Sequence, residues 1–229
     1  MFYVDPLYIL FSLPALILSI VASLLLRYWN HKYINTPAST NLTGLEAVQK
    51  AAINYNLNVS LTQAKDYLGD HYNPADKTLA LSREVAQRPT IASIAVATHE
   101  LGHAQQHQTN NILLSLRSFI VPVVNIGTTF GYILIIFGII LSLTNLAWAG
   151  IVLFSFSTFF SLLTLPIEID ASRRAINMIN ELRLLNPMEI GGAKKVLIAA
   201  SLTYVAAAVA SLANLAYFVF QVRGFSNRD

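Results

Sequence analysis

Residues 118–167 form a run of 50 without a single charged side chain, and this run constrains the chain more than any other feature. Two further uncharged gaps lie outside it, 21 residues between Asp5 and Arg27 and 27 between Lys195 and Arg223. A helix needs roughly 20 mostly apolar residues to cross a bilayer. The outer gaps therefore hold one span each, over Leu7–Leu26 and Val196–Val222. The long gap holds two, over Phe119–Leu141 and Leu146–Leu165, with a hairpin at Thr144-Asn145. Only 12% of residues are charged, against about 25% in soluble domains. That deficit excludes a simple soluble globule, and the 55% hydrophobic content excludes a disordered chain.

The polar remainder is unevenly placed. Thirteen of the fifteen basic residues fall in the segments after the first and third spans. Four spans put those two segments on one side of the bilayer, and the positive-inside bias makes that side cytoplasmic. The net charge of +3 is thus accounted for by membrane orientation and calls for no nucleic-acid partner. The first span has no basic residue before its apolar run, so it reads as a retained anchor and not as a cleaved signal. The chain divides into an anchor (1–34), a polar domain (35–112), a transmembrane hairpin (113–167), a polar segment (168–195) and a last transmembrane helix (196–229). The expected fold is mainly α, a membrane protein of about four spans with an α+β domain between spans one and two.

Within the polar domain, Leu45, Val48 and Ala52 recur at helical spacing behind a capping Thr or Asn, which predicts a helix over Thr43–Tyr55. Leu57, Val59 and Leu61 alternate with polar residues and predict a half-buried strand. Asn73-Pro74 marks a turn, and Thr78–Ser82 reads as a second strand. Pro89 suits the first position of a long helix reaching Gln108. Pro166 is expected to end the third span, with loops at Asn186-Pro187 and Gly191-Gly192.

The long helix carries His99-Glu100-Leu101-Gly102-His103. Positions i and i+4 share a helix face, so both imidazoles reach one Zn²⁺. Zinc lowers the pKa of its water towards about 7, and Glu100 is placed to take the proton as that water attacks a carbonyl. Three of the five histidines, His99, His103 and His107, fall within nine residues. With no cysteine in the chain, thiolate ligands and disulfides are excluded. A catalytic site needs a third protein ligand. Glu168 leads, just past the third span on the side of the polar domain, and His107 competes from the same helix face. His71 and Tyr72 are candidates for polarising a substrate carbonyl, with ordinary loop polarity as the plainer explanation.

Four stretches, Gly69-Asp70-His71-Tyr72-Asn73-Pro74, Leu79-Ala80-Leu81-Ser82, His99 to His107 and Leu165 to Ala175, together resemble the bacterial membrane family of neutral zinc metallopeptidases of the YugP type. The resemblance covers nearly the whole chain. It implies a zincin-like polar domain, one zinc per chain and peptidase activity, and it implies that the Thr78–Ser82 strand pairs with an extended substrate. A more distant likeness is to HtpX-type membrane gluzincins, in which a glutamate followed four residues later by an aspartate supplies the third ligand and its support. Glu168 matches that glutamate, but Ser172 stands where the aspartate would be. Asp170 is the expected substitute, orienting a histidine through its free ring N–H.

The expected function is that of a zinc-dependent membrane metalloendopeptidase in the bacterial plasma membrane. Its partners are the lipid bilayer and a peptide or protein substrate, and its active site lies on the cytoplasmic side. The alternative is a non-catalytic membrane scaffold with a structural zinc, against which Glu100 speaks, because binding zinc does not require that carboxylate. A transporter would show ionisable groups inside its spans, and all four spans lack them.

Overall fold

The computed structural model of the protein describes residues 5–64 and 69–226; Lys65, one of the basic residues used to orient the chain, lies outside them. The described chain is mainly helical. Its elements are α1 (Pro6–Ile34), α2 (Gly44–Asn54), β1 (Ser60–Gln63), β2 (His71–Asn73), β3 (Thr78–Leu81), α3 (Arg83–Gln87), α4 (Ile91–Gln108), α5 (Ile112–Ile140), α6 (Thr144–Glu181) and α7 (Ile190–Ser226). Four helices, α1, α5, α6 and α7, are long and apolar enough to cross a membrane.

Several expectations are corrected. Pro166 does not end the third span: α6 runs through it for 38 residues. A proline inside a helix removes one backbone donor, a loss that membrane helices absorb locally. The segment beyond it is held by Ile167, Ala171, Ala175, Met178 and Ile179, all fully buried. Gly191-Gly192 is not a loop but the first turn of α7. There the glycine lets the backbone close on Tyr33, whose ring would sit 2.7 Å from a Cβ at position 192. The hairpin turn falls at Leu141–Leu143, and Thr144 and Asn145 open α6 instead of forming the turn. Pro89 is not the first residue of α4, which starts at Ile91 behind Thr90, whose hydroxyl accepts from the Ser93 amide at 3.2 Å.

The sheet has the order β1-β3-β2, with β1 parallel and β2 antiparallel to β3. The first strand begins later than expected and is exposed along its length, so its alternation does not mark burial. His71–Asn73, read from sequence as loop, is the second strand. β3 is the middle strand, paired on both sides, so an extended substrate cannot add to it; the free edges belong to β1 and β2.

Two compact units emerge. One comprises residues 22–115 and 167–202, with a core of Val48, Leu79, Leu81, Ile94, Leu101, Met178 and Leu184. In it α2 opens on a reciprocal cap, Thr43 accepting from the Glu46 amide while the Glu46 carboxylate accepts from the Thr43 amide. The other unit comprises the chain up to Val21, Leu116–Pro166 and Thr203 onward. Its interior is small, around Ile135, Ala147, Ile151 and Phe154, and large apolar side chains such as Ile126, Phe130 and Phe159 stay exposed. An apolar exterior of this kind belongs in lipid.

Candidate metal centre

The site is assembled where α4 meets α6. Helical spacing puts the His99 and His103 rings edge to face, 4.9 Å apart. Gly102, between them in sequence, has no side chain to hold the neighbouring helix off. A Cβ there would lie 2.6 Å from the Ala171 carbonyl oxygen, so the two backbones touch at this point. That contact brings Glu168, one turn earlier on α6, onto both histidines. Glu168 Oε2 lies 3.3 Å from His99 Nε2 and 3.5 Å from His103 Nε2. One ligand atom from each of the three residues falls within 4.8 Å of the others.

These distances fit zinc. Tetrahedral Zn²⁺ with nitrogen and oxygen ligands at about 2.0–2.1 Å sets neighbouring ligand atoms about 3.3 Å apart. The electrostatics fit as well. Burial alone would push the His103 imidazole down, but the hydrogen-bonded Glu168 and the charge of Glu100 raise it above the ordinary histidine value. A field that favours a proton there also favours a metal cation.

Both histidines are oriented from behind. His103 Nδ1–H donates to Gln106 Oε1 at 3.0 Å, which leaves Nε2 as the lone-pair nitrogen. Gln106 is fully buried, and its amide donates onward to the Ile167 carbonyl at 2.9 Å and to Asp170 Oδ2 at 2.8 Å. Arg174 Nε holds the same carboxylate oxygen at 2.8 Å. Asp170 therefore acts on His103 through Gln106, not by direct contact. His99 Nδ1 lies 3.2 Å from Ser172 Oγ, so the serine at the aspartate position of the gluzincin pattern still meets a histidine.

Glu100 faces the sheet. Its Oε2 accepts the backbone N–H of Tyr72, on the edge strand β2, at 3.1 Å. Burial pushes its carboxyl up against the opposing pull of His99 and His103, and the charges of Glu168 and Asp70 add to the rise. The Tyr72 hydroxyl is 2.8 Å from His107 Nδ1, so this histidine belongs to the tyrosine and lies outside the three-residue cluster. His71 is exposed, its Nδ1 2.7 Å from the Gly69 carbonyl. The start of β2 is tied down by Asp70, which accepts the Ser82 amide at 2.7 Å.

The structure thus brings together His99, Glu100, His103 and Glu168, with Tyr72 and Asp170 one contact away, and leaves His71 apart. Sequence reading missed Gln106 and Gly102. The first was detectable, since i+3 from a ligating histidine is a neighbour on the helix surface. The second was not, because no local pattern says which backbone approaches a glycine.

These features amount to four helices long and apolar enough to cross a membrane and a three-residue cluster that could hold a metal ion. The family described as "Putative neutral zinc metallopeptidase" matches residues 8–223, and the chain belongs to that family. Among curated relatives, the "Putative membrane protease YugP" of Bacillus subtilis (strain 168) is 40% identical over 214 residues, covering 93% of this chain and 95% of the relative. No solved structure matches.

Proposed function

We propose that the protein is a zinc-dependent metalloendopeptidase that hydrolyses peptide bonds in proteins or peptides near the cytoplasmic face of the bacterial plasma membrane. The observation that carries this reading is the closure of His99, His103 and Glu168 to ligand-to-ligand distances of a tetrahedral ion, with Glu100 held beside them on a separate anchor. Those three residues would hold the metal, with Gln106 and Ser172 fixing the imidazoles. A Zn²⁺ bound there supplies Lewis-acid activation of water and of the scissile carbonyl. Glu100 Oε2 is occupied by the Tyr72 amide, which leaves Oε1 to take the proton of the attacking water and return it to the leaving amine nitrogen. Burial raises the proton affinity of this carboxyl, the direction that proton exchange by a general base asks for. The cytoplasmic placement rests on the thirteen basic residues of the two polar segments.

The test is cleavage of a proteome-derived peptide library by detergent-purified protein. Wild type should bind one zinc and cut in a chelator-sensitive way. Glu100→Gln should keep the zinc and lose activity by at least about 10²–10⁴-fold, the worth of general-base catalysis. Chelator-sensitive cleavage that survives Glu100→Gln would refute the mechanism, and full zinc retention after His99→Ala/His103→Ala would refute the site. Cysteines placed at Asn54 and Asn180 should both resist an impermeant label in intact cells, and labelling of either overturns the sidedness.

A further inference from the structure

A cavity of about 330 Å³ opens beside the C-terminal end of α4, floored by Leu57, Val59 and Ala104 and walled by Tyr72, Lys77 and His107. We propose that this cavity is a specificity subsite for a substrate carboxylate, with Lys77 as the residue that selects it; the inference rests on the peptidase reading above. Tyr72 connects the cavity to the site, its backbone N–H on Glu100 and its hydroxyl on His107. Glu100 and His107 are seven residues apart, so they lie about 10 Å apart along the helix and within about 20° around it. An extended peptide advances about 3.3 Å per residue. The cavity therefore receives a side chain two or three residues from the scissile bond.

Its lining is made for an anion. Among the described residues no carboxylate lines it, and Lys77 brings a basic side chain to it. The adjacent Asp76 carboxylate is exposed and accepts from the Thr78 amide and hydroxyl, and its charge reaches Tyr72, so Lys77 works beside a partly engaged acid. Asn58 and Asn110 also border the cavity, both exposed and each with a side-chain amide able to donate. The backbone of Lys77 is fixed: its φ is 57°, and its carbonyl accepts the Ser60 amide at 3.0 Å. Glycine or asparagine would hold that left-handed conformation at lower cost than lysine.

A carboxylate can come from an Asp or Glu side chain or from the C-terminus of the peptide, and the experiment separates the two. Zinc-loaded protein is given peptides of one sequence carrying Glu, Gln or Lys two or three residues to either side of the scissile bond. A second set ends at that distance with a free or an amidated C-terminus. The expected result is a Glu over Gln preference of roughly fivefold in kcat/KM at one position, arising in KM, the weight of a partly exposed ion pair. A free-acid preference in the second set alone would assign the site to chain ends. Lys77→Gln should bring the Glu/Gln ratio to about one, Lys77→Glu should turn it towards Lys, and Lys77→Asn, suited to the left-handed backbone, guards against a folding defect. Binding of the same peptides, fluorescently labelled, to the Glu100→Gln protein should follow the same order. Cleavage by wild type with no carboxylate preference, or a preference that persists in Lys77→Gln, overturns this subsite alone. Absence of cleavage of every peptide by zinc-loaded wild type overturns the peptidase reading and this subsite with it.

Discussion

Along α5 and α6, Gly131, Gly138 and Gly150 form a seam on which the two backbones touch: Cβ atoms at these positions would lie 2.4–2.7 Å from backbone atoms of the facing helix. In the site-bearing unit Gly102 does the same between α4 and α6, at 2.6 Å from the Ala171 carbonyl. Both are close packings of the small-residue kind. In the seam the closeness is distributed over about two turns and serves cohesion in a medium where lipid gives helices little hydrophobic reason to associate. At Gly102 it is one contact, and it sets how far Glu168 stands from two histidines. The same chemical change should therefore read out differently in the two places.

The largest effect expected from that contrast is at Gly102. Gly102→Ala must push α6 away at the carbonyl it touches, and a displacement of about 1 Å at a reacting centre costs about 10²-fold in activity. Metal analysis should find less than one zinc per chain in this variant, with a protein that still folds. Gly131→Ala should lower thermal stability by about 1–3 kcal/mol, the usual cost of overpacking, and keep its zinc. Equal zinc loss in both variants, or in neither, would remove the distinction.

The intermediate effect lies in the polar chain behind the histidines. Gln106 links His103 to Ile167 and Asp170 and has no counterpart in the seam. Gln106→Leu keeps the volume and removes the links, so zinc affinity should fall about 10–100-fold, as for outer partners of metal ligands. Ser172→Ala should cost less, because its contact with His99 is a single one at 3.2 Å. Competition against a chromogenic chelator measures both. If Ser172→Ala proved the more damaging, His99 and not His103 would be the histidine that depends on its support.

Much of this architecture was legible in the residues. The spans follow from the positions of charges, because a charge in hydrocarbon is costly enough to dominate every local preference. The α4 helix and its paired histidines follow from spacing alone. Glu168, 65 positions beyond His103, was reachable from its place just past a span on the side of the polar domain, and the resemblance then pointed to the same residue. What stayed hidden depends on packing. Proline rules learned in water predicted a helix end at Pro166, where buried neighbours carry α6 onward. A strand as short as His71–Asn73 leaves no period to read, yet its Tyr72 amide is what holds Glu100. The glycine seam stayed hidden for the same reason, since nothing local to Gly131, Gly138 or Gly150 says which backbone each one meets.

The smallest effect tests the membrane-spanning unit on its own terms. Its hydroxyls mostly donate to carbonyls of their own helix, as Thr128 does to Val124 at 2.7 Å and Ser161 to Ser157 at 3.0 Å. Such bonds survive separation of the helices and add nothing to association. Thr158 is different: it is buried on α6, and its Oγ1 lies 2.9 Å from Ser211 Oγ on α7. Interhelical hydrogen bonds in membranes average about 0.6 kcal/mol, because the separated helix finds other partners. A double-mutant cycle with Thr158→Val and Ser211→Ala, followed by thermal denaturation in one detergent, should give a coupling near that value and leave zinc binding unchanged. A coupling above about 2 kcal/mol would exceed the range for such bonds, and polar linkage would then matter in this unit as it does behind His103.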